Sequence, residues 1–212
     1  MSRGKLFDEL SKLDVKTIFD IGACDFQDSI TLKSQYPNAD VYAVEADPTN
    51  YFGNYRTAET YGVKTYNFAM SDTTGSATFY PSLYETTQKR NWRYAGSIIK
   101  PLLKPDTNEA LNHTVLYDTE GIDIPTKRFD EFCEEIKVDR IDLLFIDVEG
   151  AEYKVMKSLG NIRPTLIFAE TAHYQLKSYD TELDLTQFDE LMFSLGYEII
   201  ERLQYDTLYK LK

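Results

Sequence analysis

Acidic residues gather directly after an apolar segment in the second half of the chain. Asp147, Glu149 and Glu152 follow the apolar run 141–146, and Glu170 ends the next apolar run. A single acid here could cap the following helix, because the helix macrodipole favours negative charge at its start. Four acids at two strand ends indicate a site instead. Such a cluster could hold an amino group, bind a divalent cation or remove the proton of an acceptor hydroxyl.

Three residues are candidates for the general base of such a proton transfer. Asp147 and Glu149 come first by position, and His173, three residues after Glu170, is second. The ordinary imidazole pKa of ~6.5 suits base catalysis, although a single loop histidine is often only a polar surface residue. His113 is the other histidine, and the two cysteines form no Cys-x-x-Cys pair. No metal site is therefore predicted, and a divalent cation between the acids is left as an open alternative.

A glycine turn follows the first predicted strand. The segment Asp20-Ile21-Gly22-Ala23-Cys24 places Gly22 where a tight turn and a close backbone approach to a ligand are needed. The second predicted strand ends at Glu45, which Ala46 follows, and an acid there can accept hydrogen bonds from both hydroxyls of a ribose. The alternative is an ordinary turn glycine and a surface glutamate. Together these residues predict a nucleoside site.

The glycine content of that turn discriminates between nucleoside cofactors. A dinucleotide loop has the pattern G-x-G-x-x-G, whose later glycines let the pyrophosphate approach. Cys24 and Gln27 stand at the second and third glycine positions, which disfavours NAD and FAD. S-adenosylmethionine has a ribose and an adenine but no phosphate, so it tolerates fewer glycines. A backbone N–H near Met70 and the Asp72 carboxylate, at the third strand end, could then bind the adenine edge; the alternative is a plain polar turn.

The elements that must position these residues can be predicted from periodicity. Apolar runs of strand length alternate with helical periodicity, which predicts an α/β fold whose mostly parallel sheet is covered on both faces. About six residues join the last two strands, fewer than a parallel crossover needs, so the last strand is predicted to be antiparallel. Predicted strands cover 17–21, 41–45, 63–69, 76–80, 141–146, 165–169, 197–200 and 207–209, and predicted helices cover 6–13, a stretch ending at 36, 47–62, 129–136, 153–159 and 185–195.

The segment 81–124 differs in composition from the rest of the chain. It carries three prolines, few periodic apolar positions, and charges divided into a basic first part and an acidic second part. Trp92 and Tyr94 lie among the basic residues; aromatic rings stack on sugars, and arginine pairs with phosphate or carboxylate. We expect an irregular insert, within a single domain of 212 residues, that forms the acceptor side. Truncating Arg90 and Arg93 should then weaken acceptor binding without harming donor binding; the alternative is a solvated loop.

Composition excludes several classes of protein. The chain is 42% hydrophobic, with 16 tyrosines and 12 phenylalanines, too much apolar surface for a disordered polyelectrolyte. The net charge of −12 disfavours a nucleic-acid partner, since phosphates require a surplus of Lys and Arg. Residues 1–5 lack the apolar stretch of a secretory signal, and the apolar runs are too short to span a membrane. These features predict a cytoplasmic protein with no membrane span; the oligomeric state is not predicted.

Four segments resemble motifs of the FkbM-type S-adenosylmethionine-dependent methyltransferases, a class I methyltransferase family. The segment 140–152, RIDLLFIDVEGAE, is similar to the central and most specific motif, and 17–23, 44–48 and 69–75 are similar to the first three. The resemblance implies a Rossmann-like, doubly wound sheet of seven strands with S-adenosylmethionine as methyl donor. It also implies O-methylation of a small-molecule or glycan acceptor, such as a sugar or natural-product hydroxyl.

The resemblance implies roles for single residues as well. Gly22, Ala23 and Glu45 would hold the amino-acid part and the ribose of the donor. Asp72 would lie at the adenine, and Asp147 beside the centre of methyl transfer.

Two positions depart from the family pattern. The family usually has Asn where Cys24 stands and Gly where Phe26 stands, so the Phe26 side chain is expected beside the donor. A loop altered in this way is the feature that could support the alternative function, a non-catalytic S-adenosylmethionine-binding or scaffold domain. A third alternative, an NAD-dependent oxidoreductase, is disfavoured by the missing glycines.

Overall fold

The structure, a computed structural model, describes residues 4–111, 114–176 and 178–212, so His113 lies outside the described residues. Its strands are β1 (Thr17–Ile21), β2 (Asp40–Glu45), β3 (Val63–Asn67), β4 (Ala69–Met70), β5 (Gly75–Phe79), β6 (Ser82–Glu85), β7 (Arg90–Asn91), β8 (Val115–Tyr117), β9 (Ile122–Lys127), β10 (Leu143–Ile146), β11 (Leu166–Glu170), β12 (Tyr197–Arg202) and β13 (Asp206–Leu211). Its helices are α1 (Gly4–Leu10), α2 (Gln27–Gln35), α3 (Pro48–Thr60), α4 (Phe129–Ile136), α5 (Glu152–Lys157), α6 (His173–Leu176) and α7 (Leu185–Ser194).

Seven strands form the central sheet, in the order β12-β13-β11-β10-β1-β2-β3. The five strands from β11 to β3 in that order pair in parallel. Strand β13 runs antiparallel to both β11 and β12, because residues 203–205 alone connect β12 to β13. The predicted Rossmann-like α/β fold, with a mostly parallel seven-stranded sheet and an antiparallel last strand, is confirmed.

Helices cover both faces of this sheet because its central strands are apolar on both sides. Ile18 and Leu143 belong to a core that also includes α1, α2 and α3. Phe19 and Leu144, their neighbours along the same strands, belong to the core under α4, α5 and α7. With both faces covered, a ligand can reach the sheet at the carboxyl ends of its parallel strands.

The predicted strand 63–69 is two strands in the structure. Strand β3 ends at Asn67, and β4 pairs with β9 in a second sheet of order β4-β9-β5. The sequence does not predict β9, because Pro125 lies within it and proline argues against a strand. The turn out of the central sheet brings Met70 to the carboxyl edge, beside the end of β2.

The segment 81–124 is more regular than the irregular insert expected for it. Its described residues include a three-stranded antiparallel sheet of order β7-β6-β8. These strands have only two to four residues, too few to show a hydrophobic period in the sequence. An antiparallel bridge between Pro101 and Tyr179 ties the segment to the loop after α6.

The helix starts follow from local capping. Helix α3 begins at Pro48, as predicted, with Asp47 Oδ1 accepting the Thr49 N–H at 2.8 Å. Helix α2 instead begins after Phe26, whose φ of 63° is left-handed. None of the helices in the described ranges combines the length and the apolar character needed to cross a membrane.

Candidate active site

The carboxyl ends of β1, β2 and β10 border a cleft of about 530 Å³ that is open to solvent, here called the donor cleft. Predicted cofactor residues in its lining are Gly22, Cys24, Glu45, Ala46, Met70 and Asp147. Asp20 and Ala23 line an adjoining cleft of about 880 Å³, which shares Gly22, Cys24 and Asp147 with the donor cleft. The structure therefore brings together residues from four separate predicted segments.

Gly22 allows β1 and β10 to approach each other at this edge. Its φ is +89°, and a Cβ built on it would lie 1.7 Å from the carbonyl oxygen of Asp147. Only a residue without a side chain fits so close to backbone. Asp20, two residues earlier, is buried and accepts a hydrogen bond from the Ser29 hydroxyl, which ties α2 to the end of β1.

Phe26 does not lie beside the donor cleft, contrary to the expectation from the sequence. Its ring is fully buried in the core under α2 and α3, with Tyr51 packed edge-on at a centroid distance of 6.1 Å. The left-handed backbone at Phe26 turns the side chain inward. Cys24, also at positive φ, lines the cleft, and burial raises the pKa of its thiol, which keeps the group neutral.

Glu45 is a buried acceptor at the end of β2 rather than a surface glutamate. Its two oxygens each accept a backbone N–H at 2.7 Å, Oε2 from Cys24 and Oε1 from Asp47. Burial raises the pKa of this carboxyl to about 7. Each carboxylate oxygen has a further lone pair, so Glu45 can still accept hydrogen bonds from a ligand in the donor cleft.

Asp72 is the predicted cofactor residue that the structure leaves outside both clefts. Its carboxylate pairs with the Lys154 ammonium at 3.2 Å, and its carbonyl oxygen accepts from Arg128 at 2.8 Å. Contact between Asp72 and an adenine stays a prediction, whereas Met70 lines the donor cleft directly.

Asp147 lies where the two clefts meet. Its N–H donates to the Ile21 carbonyl at 2.9 Å, which extends the β1–β10 pairing by one residue. The side chain is exposed to the solvent that fills the clefts. Protein atoms nevertheless surround the carboxyl group on most sides. That enclosure, together with the charges of Glu170 and Glu149, raises the pKa of Asp147 well above its usual range. This carboxyl group is placed to accept a proton from a ligand in either cleft.

Glu149, Glu170 and His173 converge next to Asp147; we call them the carboxylate–histidine cluster. His173 Nε2 lies 2.8 Å from Glu170 Oε2 and 2.9 Å from Glu149 Oε2. Burial lowers the pKa of His173, but the Glu149 charge and hydrogen bonds to both carboxylates outweigh burial and raise the pKa well above its usual value. Because Nε2 faces the two carboxylates, the geometry favours Asp147 over His173 as the base toward a hydroxyl.

The backbone and one tyrosine fix the position of Glu149. Its φ of 56° is left-handed, which is uncommon for glutamate and turns its side chain toward β11. The Tyr179 hydroxyl lies 2.9 Å from Glu149 Oε2 and 2.7 Å from the Ala95 carbonyl oxygen. Tyr179 could not be identified from the sequence, because this residue lies in a loop with no motif around it.

Glu152, the third acid after β10, serves the loop rather than the clefts. Its Oε1 accepts from the N–H groups of Val148 and Gly150 at 3.1 and 3.3 Å, and its Oε2 accepts from the Tyr174 hydroxyl at 3.0 Å. Both N–H groups precede α5, so Glu152 holds the loop between β10 and α5 and does not cap the helix.

A third cleft, of about 730 Å³, extends from the cluster along the insert and is here called the aromatic cleft. Arg90, Trp92 and Tyr94 line one side of it. The Arg90 guanidinium lies 4.2 Å from the centroid of the Trp92 ring, and the Trp92 and Tyr94 rings are 4.8 Å apart. The aromatic cleft thus combines two aromatic rings and the Arg90 guanidinium with the carboxylate–histidine cluster.

Arg93 belongs to the donor cleft, contrary to its predicted place on the acceptor side. Its guanidinium donates to Asp47 Oδ2 at 2.6 and 3.0 Å, and its carbonyl accepts from Asn50 Nδ2 at 2.8 Å. The sequence does not predict this pair, since 46 positions separate its partners.

The methyltransferase FkbM domain family model matches residues 20–199 of the chain. Among curated proteins, the 2-O-methyltransferase NoeI of Sinorhizobium fredii (strain NBRC 101917 / NGR234) is 28% identical over 183 residues, which cover 82% of this chain and 70% of that protein. Methyltransferase 1 of Beauveria bassiana (strain ARSEF 2860) is 24% identical over 205 residues, which cover 93% of this chain and 79% of that protein.

Solved structures support the fold. The crystal structure of methyltransferase FkbM from Methylobacillus flagellatus KT matches with a TM-score of 0.56 at 15% identity, over 93% of this chain and 44% of that one. Precorrin-6y C5,15-methyltransferase from Geobacter metallireducens GS-15 matches with a TM-score of 0.51 at 12% identity, over 98% of this chain and 86% of that one. The family match covers most of the chain and includes every strand end that borders the donor cleft. The chain therefore belongs to the FkbM methyltransferase family and is an S-adenosylmethionine-dependent methyltransferase.

Proposed function

We propose that this methyltransferase transfers the methyl group to a hydroxyl of a sugar, glycan or natural-product acceptor. The observation that carries the proposal is the position of Asp147, exposed in the donor cleft and next to the cluster that lines the aromatic cleft. A hydroxyl entering from the aromatic cleft would meet the donor's methyl group beside this carboxylate. The similar NoeI protein is a 2-O-methyltransferase, which agrees with oxygen as the acceptor atom.

The reaction is an in-line displacement at the methyl carbon. The acceptor oxygen bonds to that carbon as the carbon–sulfur bond breaks, and the bonding pair stays on sulfur, which becomes the neutral thioether of S-adenosylhomocysteine. The hydroxyl proton passes to Asp147. Because the donor already carries the positive charge, the protein contributes mainly alignment and proton removal. Gly22, Ala23 and Glu45 hold the donor's amino-acid part and ribose in this proposal.

The aromatic cleft suits a sugar-containing acceptor. Trp92 and Tyr94 offer ring faces on which the apolar C–H face of a sugar can pack. Arg90 adds a cation for a phosphate or carboxylate of an anionic acceptor. The family resemblance implies a small-molecule or glycan acceptor, and the net charge of −12 disfavours a nucleic acid. The cytoplasmic location of the protein stays a prediction.

Thermal shift with S-adenosylhomocysteine and with NAD tests the donor. At ~100 times its dissociation constant, the bound ligand should stabilise the protein by ~2.7 kcal/mol. A shift with NAD alone would overturn the proposal.

Transfer of a deuterated methyl group to a panel of glycans, read by mass spectrometry, then tests the acceptor. Methylation confined to nitrogen or carbon acceptors would contradict the O-methylation.

The loop after β1 does not support the alternative function, a non-catalytic binding domain. Phe26 is the departure from the family pattern that could support this alternative, and its ring lies in the core and not beside the donor cleft.

Arg93→Ala should weaken S-adenosylhomocysteine binding about tenfold, because it leaves the buried Asp47 carboxylate without its guanidinium. Asp47 also donates its N–H to Glu45, so the loss reaches the proposed ribose acceptor. Calorimetric titration measures the affinity. Arg90→Ala is the matched control, since Arg90 lines the aromatic cleft; it should leave this affinity unchanged and raise the acceptor KM. Equal donor affinity in the two variants would contradict the assignment of Arg93.

A further inference from the structure

The carboxylate–histidine cluster has the composition and spacing of a metal site. One ligand atom from each of Glu149, Glu170 and His173 lies within 4.8 Å of the other two. The three residues come from different elements: the loop after β10, the end of β11 and the start of α6. One imidazole and two carboxylates are a ligand set for divalent first-row cations.

The distances from His173 to the two carboxylates are those of adjacent ligands around one ion. In an octahedral site with bonds of ~2.1 Å, adjacent ligand atoms lie about 3.0 Å apart. His173 Nε2 lies 2.8 and 2.9 Å from the two carboxylate oxygens. Both contacts use the same nitrogen, so a single N–H proton must serve two carboxylates. A cation in place of that proton would use a lone pair from each of the three residues.

The charge around the cluster also favours a cation. Asp147 lies beside the cluster that lines the aromatic cleft and adds a third carboxyl group to one imidazole. Repulsion between carboxylates held this close is costly unless opposite charge compensates it. Arg90, which lines the same cleft, lies over Trp92 and 3.8 Å from Glu85. Its guanidinium is thus engaged with other groups.

The ligand side chains are held in place. The His173 side chain is 5% exposed, and its ring packs edge-on against Tyr179 at 5.0 Å. The Tyr179 hydroxyl is 2.9 Å from Glu149 Oε2, the same oxygen that faces His173. A site held in this way loses little conformational entropy when it binds an ion.

We propose that Glu149, Glu170 and His173 bind a divalent first-row cation, whose open coordination positions face the aromatic cleft and take the acceptor hydroxyl. Cation binding itself needs no assumption about the reaction, whereas its part in orienting the hydroxyl rests on the proposed function. A metal-bound hydroxyl is more acidic and fixed in position, so the cation would assist the alignment and proton loss described above.

Binding of Mn²⁺ to the full chain, after EDTA treatment and desalting, tests the site. Electron paramagnetic resonance measures free Mn²⁺, and we expect one equivalent to be bound. The isosteric variants Glu149→Gln and Glu170→Gln should each weaken binding at least tenfold. Asp180→Asn, which removes an exposed acid next to Tyr179, is the matched control and should bind as the unaltered protein does. Thermal shift with S-adenosylhomocysteine on the same samples shows that each variant is folded.

The outcomes separate this proposal from the proposed function. Absence of Mn²⁺ binding, or equal binding by Glu170→Gln and Asp180→Asn, would overturn the cation site. Methyl transfer that is as fast in EDTA as in Mn²⁺ would overturn its role in the reaction. Stoichiometric Mn²⁺ binding that depends on the cluster, in a protein that methylates no hydroxyl, would support the site and overturn the proposed function.

Discussion

Gly22→Ala should weaken binding of S-adenosylhomocysteine about a hundredfold and lower the free energy of unfolding by about 3 kcal/mol. The new Cβ would lie 1.7 Å from the Asp147 carbonyl oxygen, a distance that no relaxation of side chains can relieve. Overpacking contributes ~1–3 kcal/mol and the left-handed conformation of a residue with a Cβ another ~1–2 kcal/mol. The ends of β1 and β10 must separate. A misplacement of ~1 Å in a site can cost a factor of ~100 in reaction rate, and we expect a loss of the same order in donor binding.

Gly53→Ala is the matched control for this substitution. Gly53 lies within α3, is exposed, and has no atom within 4 Å of an added Cβ. Alanine should therefore stabilise the helix by ~0.5–1 kcal/mol and leave donor binding unchanged. Urea unfolding and calorimetric titration measure the two quantities. If Gly22→Ala bound S-adenosylhomocysteine within threefold of Gly53→Ala, the close approach of the strands would not shape the donor cleft.

The sheet could be predicted because its strands are buried on both faces. Continuous apolar runs such as Leu143–Ile146 give parallel strands, and the short link before β13 requires a reversal. Strand β9 could not be predicted, because its stability comes from pairing with β4 and β5 at distant positions, while Pro125 argues locally against it. The local sequence pattern thus predicts strands whose own side chains are buried. It misses strands whose stability comes from pairing with distant strands.

More of the donor cleft than of the rest of the site could be predicted from the sequence. The position of Glu45 in the cleft could be predicted, because Glu45 ends a strand and the end of a parallel strand fixes the edge of the sheet at which the residue lies. The direction of a side chain after a turn depends on one or two backbone angles instead. Positive φ at Phe26 sends its ring into the core, and positive φ at Glu149 sends its carboxylate to His173. Neither angle is encoded by a glycine, so the sequence carried no signal for it.

Asp147→Asn should lower kcat about a thousandfold and change the affinity for S-adenosylhomocysteine by less than threefold. The amide keeps the shape of the side chain but cannot accept the hydroxyl proton, and general-base catalysis typically contributes ~10²–10⁴ in rate. The backbone contact that positions the residue, from its N–H to Ile21, is retained. The expected signature is therefore a loss in kcat rather than in donor binding.

Asp139→Asn is the matched control, because Asp139 is exposed before β10, at the opposite end of that strand from Asp147. It removes one negative charge without reaching either cleft, so both kcat and KM should stay within twofold. The alternative role for Asp147, holding the donor's amino group, predicts the reverse pattern: KM for S-adenosylmethionine rises while kcat at saturation is kept. Steady-state kinetics at saturating and limiting donor distinguish the two. An Asp147→Asn enzyme with unchanged kcat would assign proton removal to a different group in the clefts.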